Sequence, residues 1–196
     1  MKTPENFMEY LAAHRDCTEE IMDYARMLSQ EDIETETDEK TVKIRKMVSS
    51  VLLEIHRMRG FVRLVPLSDD VSCGYLEPEH DTGRWIAESL AHRFPKTEII
   101  LGNDRRTWHS HYSEEGMTFS EGAGMRETIE GLEKYALSLQ QSSETEKVWR
   151  TYYLSQYSKE RRNIRLFSKH MPEKHIKAAG LLMEPSAGYA ALPGFC

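Results

Sequence analysis

A histidine, three arginines and a phenylalanine fall close together in the run His56-Arg57-Met58-Arg59-Gly60-Phe61-Val62-Arg63. Planar guanidinium groups hold phosphate oxygens two at a time and an aromatic face stacks on a base, so this grouping suits a nucleic acid. Arginines at a helix end also satisfy the last carbonyls, which is the simpler account of the same residues. A second concentration is Tyr157-Ser158-Lys159-Glu160-Arg161-Arg162-Asn163-Ile164-Arg165, continuing to Lys169-His170-Met171-Pro172 and preceded by Trp149, Tyr152 and Tyr153. Interleaved cations and rings are what a polyanion with stackable bases requires. A third is the turn Asn103-Asp104-Arg105-Arg106, where Asp104 has the chemistry to orient a guanidinium.

Acid–base chemistry has weaker candidates. In Leu76-Glu77-Pro78-Glu79-His80-Asp81 a histidine stands among carboxylates, and His109 and His111, two residues apart, share one face of a strand. His56, Glu77 and His80 are the side chains that would supply a proton donor, an acceptor or a metal ligand if they met in one pocket. The chain has neither a P-loop nor a G-x-S-x-G elbow, and Gly122-Ala123-Gly124 lacks the third glycine of a dinucleotide loop. Cys17, Cys73 and Cys196 are too far apart for a disulfide scaffold or a structural zinc site. No cofactor and no metal are therefore expected. There is no basic start followed by an apolar run and no stretch of bilayer length, so the expected address is the cytoplasm, with no membrane partner.

The net charge of −6 conceals a lopsided distribution. Residues 1–40 hold 12 acidic and 4 basic residues, whereas 147–177 hold nine Lys/Arg against Glu160 and Glu173. A local positive field of that kind attracts a polyanion even when the whole molecule is acidic.

The elements that must position these groups follow from periodicity. Phe7, Leu11, Ile21, Tyr24, Ala25 and Leu28 recur at helical spacing over 5–29, with acids opposite, predicting an amphipathic helix or a helix pair. Gln30 to Lys40 has almost nothing to bury and reads as an exposed loop, separating an acidic helical appendage (1–40) from a main domain (41–177). A helix from Thr41 to Arg59 carries the stripe Ile44, Val48, Val51, Leu52 and Ile55 and stops at Gly60. Strands are predicted at Phe61–Val65, Ser72–Leu76, Thr97–Leu101 and Arg106–Tyr112, with a helix at Gly83–Phe94. A glycine-rich connection spans Gly116 to Gly124, helices follow at about 125–140 and through Trp149, and the Ala/Gly/Pro-rich tail 178–196 is expected to be mobile. This order predicts an α+β fold, with a small, mainly antiparallel sheet packed by several helices.

Several stretches together resemble a known family. They are His56-Arg57-Met58-Arg59-Gly60-Phe61-Val62-Arg63, Leu76-Glu77-Pro78-Glu79, Arg93-Phe94-Pro95, Asp104-Arg105-Arg106, and Lys159-Glu160-Arg161-Arg162-Asn163 running to His170-Met171-Pro172. In order and approximate spacing over about 41–176 they resemble the domain of unknown function 4130 family, whose members are usually described as DNA metabolism or DNA repair proteins. The resemblance implies DNA damage processing beside a radical S-adenosylmethionine (radical SAM) protein or a uracil-DNA glycosylase-like protein. Family members often carry an aromatic pair after the Met-Pro, where this chain has His175 and Ile176.

Three functions are then in play. In the leading one, a DNA-binding accessory grips phosphates with Arg57, Arg59, Arg63, Arg105, Arg106, Lys159, Arg161, Arg162, Arg165 and Lys169, and Phe61 and Tyr157 offer stacking surfaces. The second is an enzyme acting directly on damaged nucleic acid through His56, Glu77 and His80; the third is a protein-interaction module that uses the acidic N-terminal helix.

Overall fold

The computed structural model describes residues 3–128 together with 163, 165 and 166. The helices expected at about 125–140 and through Trp149, most of the basic segment and the tail 178–196 lie outside the described residues, although 125–128 are helical.

The N-terminal periodicity resolves into a helix pair, α1 (Phe7–Ala12) and α2 (Glu19–Met27). Thr18 caps α2 by accepting from the Ile21 N–H. The acidic stretch that follows is not a bare loop. Ser29 and Asp32 form a capping box that starts a short helix, α3 (Gln30–Thr35), and Ile33 is buried. The far end of α3 is held from outside, because the Arg45 guanidinium donates to the carbonyls of Ile33 and Glu36, both at 2.8 Å. Composition predicted a loop here because one apolar residue makes no stripe; the caps and Arg45 supply what the stripe lacks.

Helix α4 (Glu39–Phe61) begins at Asp38, whose carboxylate accepts the Thr41 N–H at 3.0 Å. At about 1.5 Å per residue its 23 residues span roughly 35 Å. That length lets one apolar stripe serve two cores. Ile44, Met47 and Val48 pack with Phe7, Leu11, Ala25 and Ile33, so α1–α3 share a core with the first half of α4. Met58, at the other end, joins the core over the sheet. The helix passes through Gly60, where a stop was predicted, and ends at Val62 in an extended conformation. Among the described glycines only Gly116 has a positive φ, of 115°, so Gly60 makes no left-handed cap. The strand predicted at Phe61–Val65 is accordingly reduced to β1 (Val65–Pro66).

The remaining strands are β2 (Val71–Tyr75), β3 (Glu98–Gly102), β4 (Thr107–Ser113) and β5 (Gly116–Gly122), with α5 (Gly83–Arg93) between β2 and β3. They form one sheet in the order β1-β2-β3-β4-β5, in which β2 and β3 are parallel and the other pairs antiparallel. The fold is α+β, with a mixed but mostly antiparallel sheet. The parallel pair follows from α5, which carries the chain back across the sheet. The glycine-rich connection proves to be β5, because Met117, Phe119 and Glu121 alternate with Thr118 and Ser120.

Strand β3 is the centre. Ile99 and Leu101 point to the face covered by α5, meeting Ile86, Leu90 and Trp108, while Ile100 joins Leu67, Cys73 and Met125 on the other face. Among the described residues no helix is long and apolar enough to cross a membrane.

Candidate functional site

One carboxylate inside α4 organises the loop after β2. Val51, Glu54 and Met58 follow each other at spacings of three and four, so Glu54 lies on the buried stripe and is only 5% exposed. It accepts from the Glu79 N–H at 2.8 Å, the His80 N–H at 2.9 Å and the Thr82 hydroxyl at 3.1 Å. A buried carboxylate needs such donors to offset its lost hydration. Here they come from the loop, which is thereby fixed against the helix.

The fixed loop presents His80, 6% exposed, to the turn between α1 and α2. The Arg15 N–H donates to His80 Nδ1 at 3.4 Å, which leaves Nε2 to carry the proton and donate to the Ser50 hydroxyl at 2.9 Å. The Asp81 N–H donates to the Ala13 carbonyl at 2.9 Å, a second tie between the same two segments. The His14 ring packs on the His80 ring at 4.3 Å, and His14 Nδ1 accepts the Asp16 N–H at 3.1 Å.

Burial lowers the pKa of His14 from its ordinary 6.5, and His80 and Arg15 push the same way, against Asp16 and Glu79. In the interval below 6.5 the unfolded chain therefore binds a proton that the folded chain resists, and stability falls as the pH drops through it. The melting temperature is expected to decline between about pH 7 and pH 5.5, and to decline less in His14→Gln. An identical decline in both proteins would remove His14 as the cause.

The third contributor is the turn between β3 and β4. The Asn103 side-chain oxygen accepts the Arg105 N–H at 2.9 Å and the Arg106 N–H at 3.3 Å, closing a side-chain-mediated turn. Its amide donates to the Leu76 carbonyl at 3.2 Å and so ties the turn to the end of β2. Arg106 is held between Asp81 at 3.1 Å and Glu121 at 3.0 Å, with its guanidinium 4.6 Å from the centroid of the buried Trp108 ring. Arg15 pairs with Glu79 at 2.8 Å. Arg105 is exposed, and no described acid pairs with it.

Three segments distant in sequence thus line an open cleft of about 490 Å³, with His14, Arg15, His80, Asp81, Arg105 and Arg106 among its walls. This volume is in the range of about 300–1,000 Å³ usual for ligand sites.

Of the acid–base candidates, His80 lines this cleft, and His56 and Glu77 do not. His56 is exposed on α4, and Glu77 is exposed and accepts from the Tyr75 hydroxyl at 2.6 Å. Burial and then the Glu77 carboxylate push the pKa of the Tyr75 phenol up. His109 and His111 share a face of β4 with Thr107. His109 bonds Thr107 at 3.0 Å and Glu98 at 3.4 Å, and the imidazole holds the Glu98 carboxyl below the usual carboxylate range. Among the described residues no group of three or more His, Cys, Asp or Glu side chains is placed to hold a metal ion.

Of the phosphate-contact candidates, Arg105 and Arg106 reach the cleft. Arg57 and Arg59 are exposed near the end of α4, Arg63 is half-buried just beyond it, and Arg165 is exposed. Phe61 is half-buried at the last residue of α4. Lys159, Arg161, Arg162, Lys169 and Tyr157 lie outside the described residues. The sequence reading missed Glu54, His14 and Arg15. Glu54 was detectable as a carboxylate on an apolar stripe; nothing local marks His14 or Arg15.

A family model described as a domain of unknown function, DUF4130, matches residues 15–179, which takes in α2 and α3 as well as the sheet. No curated protein and no solved structure matches the chain.

Proposed function

We propose, on the premise that the chain belongs to the DUF4130 family, that it is a DNA-binding accessory protein of DNA repair or DNA metabolism. The observation that carries this reading is the convergence of Arg15, Arg105 and Arg106 with two imidazoles on one cleft, from three separate stretches of chain. Arg106 is spoken for by Asp81 and Glu121, which fix its plane and direction; Arg105, which is exposed, is the cation among the three without a described acid. A held guanidinium beside one with no described acid suits a phosphate that must be positioned as well as attracted. Arg57 and Arg59 are further exposed cations, near the end of α4. Of the acid–base candidates His56, Glu77 and His80, His80 alone lines the cleft, and both of its ring nitrogens are engaged, which supports a binding role for it. The partner, a radical SAM protein or a uracil-DNA glycosylase-like protein, rests on the family resemblance.

Binding of a labelled duplex, followed by fluorescence anisotropy over a salt series, tests the reading. Affinity is expected to fall steeply with salt, and Arg105→Ala to reduce the log–log slope by about 1 at unchanged melting temperature. Salt-independent binding, or a slope untouched by the substitution, would count against a phosphate contact at Arg105.

A further inference from the structure

A second concavity lies beside the first. It is a groove of about 660 Å³ between α5 and β5, at the edge of the described sheet, with Arg84, Trp85, His92, Met117 and Phe119 in its walls. Its aromatic faces are held in place. Trp85 packs on Tyr10 at 5.0 Å between ring centroids, and the Arg84 guanidinium lies 5.3 Å from the centroid of Phe119, steadied there by Glu88 at 2.9 Å. At the α4 side, Arg59 donates to Ser89, itself a lining residue, at 3.5 Å. Glu88 is the acid in the lining, facing Arg84 with Arg59 close by, so the groove favours an anionic chain over a cationic one.

Strand β5 lines the groove and contacts Arg106 of the first cleft. Glu121, which holds Arg106, and Phe119, which lies under Arg84, are two residues apart on the same face, about 7 Å at the rise of an antiparallel strand. The residue that holds the Arg106 guanidinium and the aromatic platform thus stand two residues apart on one strand, a distance one nucleotide can span.

We infer that the groove between α5 and β5 receives an unpaired base of a single-stranded nucleic acid whose backbone runs on toward Arg105 and Arg106. This rests on the nucleic-acid reading above and adds a strand preference to it. In a duplex the bases are stacked and paired inward, and no face is free to meet Phe119 or Trp85; in a single strand each base offers one.

The test compares a short oligothymidylate strand with a duplex of the same length, on the full chain and by anisotropy over a salt series. The wild type is expected to bind the strand about 10-fold or more tightly than the duplex, on the scale of one base stacked on a ring. Phe119→Leu keeps an apolar side chain over the sheet and removes the ring. It is expected to weaken strand binding about 10-fold, with the salt slope and duplex binding unchanged, and Phe119→Tyr to restore it. Equal wild-type affinity for strand and duplex overturns the inference, even if Phe119→Leu fails to fold, and leaves the phosphate cleft standing. Strand binding unaffected by Phe119→Leu overturns it as well. Loss of all binding to either nucleic acid overturns both readings together.

Discussion

Glu54→Ala is expected to destabilise the protein by about 3 kcal/mol or more, since three donors, two of them buried, lose their acceptor at about 1–3 kcal/mol each. The Glu79 and His80 N–H groups and the Thr82 hydroxyl all end on this one carboxylate, and the loop they belong to is sealed against α4. For a domain whose whole stability is of the order of 5–15 kcal/mol, a loss of this size is a large fraction. Glu54→Gln should fall between, because one amide oxygen serves either Glu79 or the His80–Thr82 pair and its NH₂ group then faces a donor. Urea denaturation of the three proteins measures the order. A cost of under about 1 kcal/mol for the alanine variant would mean that water replaces the carboxylate and that the loop is not held as described. On the DNA-binding reading proposed above, the same variant should also bind nucleic acid more weakly even where it is folded, because His80 and Asp81 line the cleft from this loop.

Gly83→Ala should cost about 1–3 kcal/mol or more, the usual scale for an added group in a closed core. Gly83 opens α5 directly over Trp108, and a methyl group there would lie within the indole ring. Trp108 is 1% exposed and packs with Leu76, Ile86 and Ile99, so it has nowhere to retreat, and Arg106 rests on it. The comparison that isolates the clash is Gly60→Ala. Gly60 also sits in a helix, with nothing within 4 Å of an added Cβ, and there the change should stabilise by about 0.5–1 kcal/mol through the unfolded chain. Thermal or urea unfolding should therefore show opposite signs for one chemical change at two sites. Equal signs would mean that Trp108 yields, and that the start of α5 is looser than its packing requires.

The elements that declare themselves by repetition were legible in the sequence. The stripe through Ile44, Val48, Val51, Leu52 and Ile55 predicts α4, the run Thr97–Leu101 predicts β3, and Asn103-Asp104-Arg105-Arg106 predicts the turn between β3 and β4. From their order the α+β class follows. Three readings failed where a local signal was outvoted. At Gly60 the glycine suggested a stop, but nothing required a left-handed residue there. At 116–122 glycines at both ends obscured the alternation of Met117, Phe119 and Glu121. At 30–35 the lack of a stripe hid a helix held by its caps and by Arg45 from another helix.

What tertiary structure alone decided is which charges meet. Periodicity reports the face a side chain occupies on its own element, because it is a property of backbone geometry over a few residues. It carries no information about which face of which other element lies opposite. The meeting of Arg15, His80 and Arg106 depends on how α1, the loop after β2 and the β3–β4 turn pack together, as does the pairing of Arg106 with Asp81 and Glu121 while Arg105 meets no described acid. Residue types in the sequence supplied the cations; only the packing of distant segments sorted them into those held by carboxylates and those with no described acid beside them.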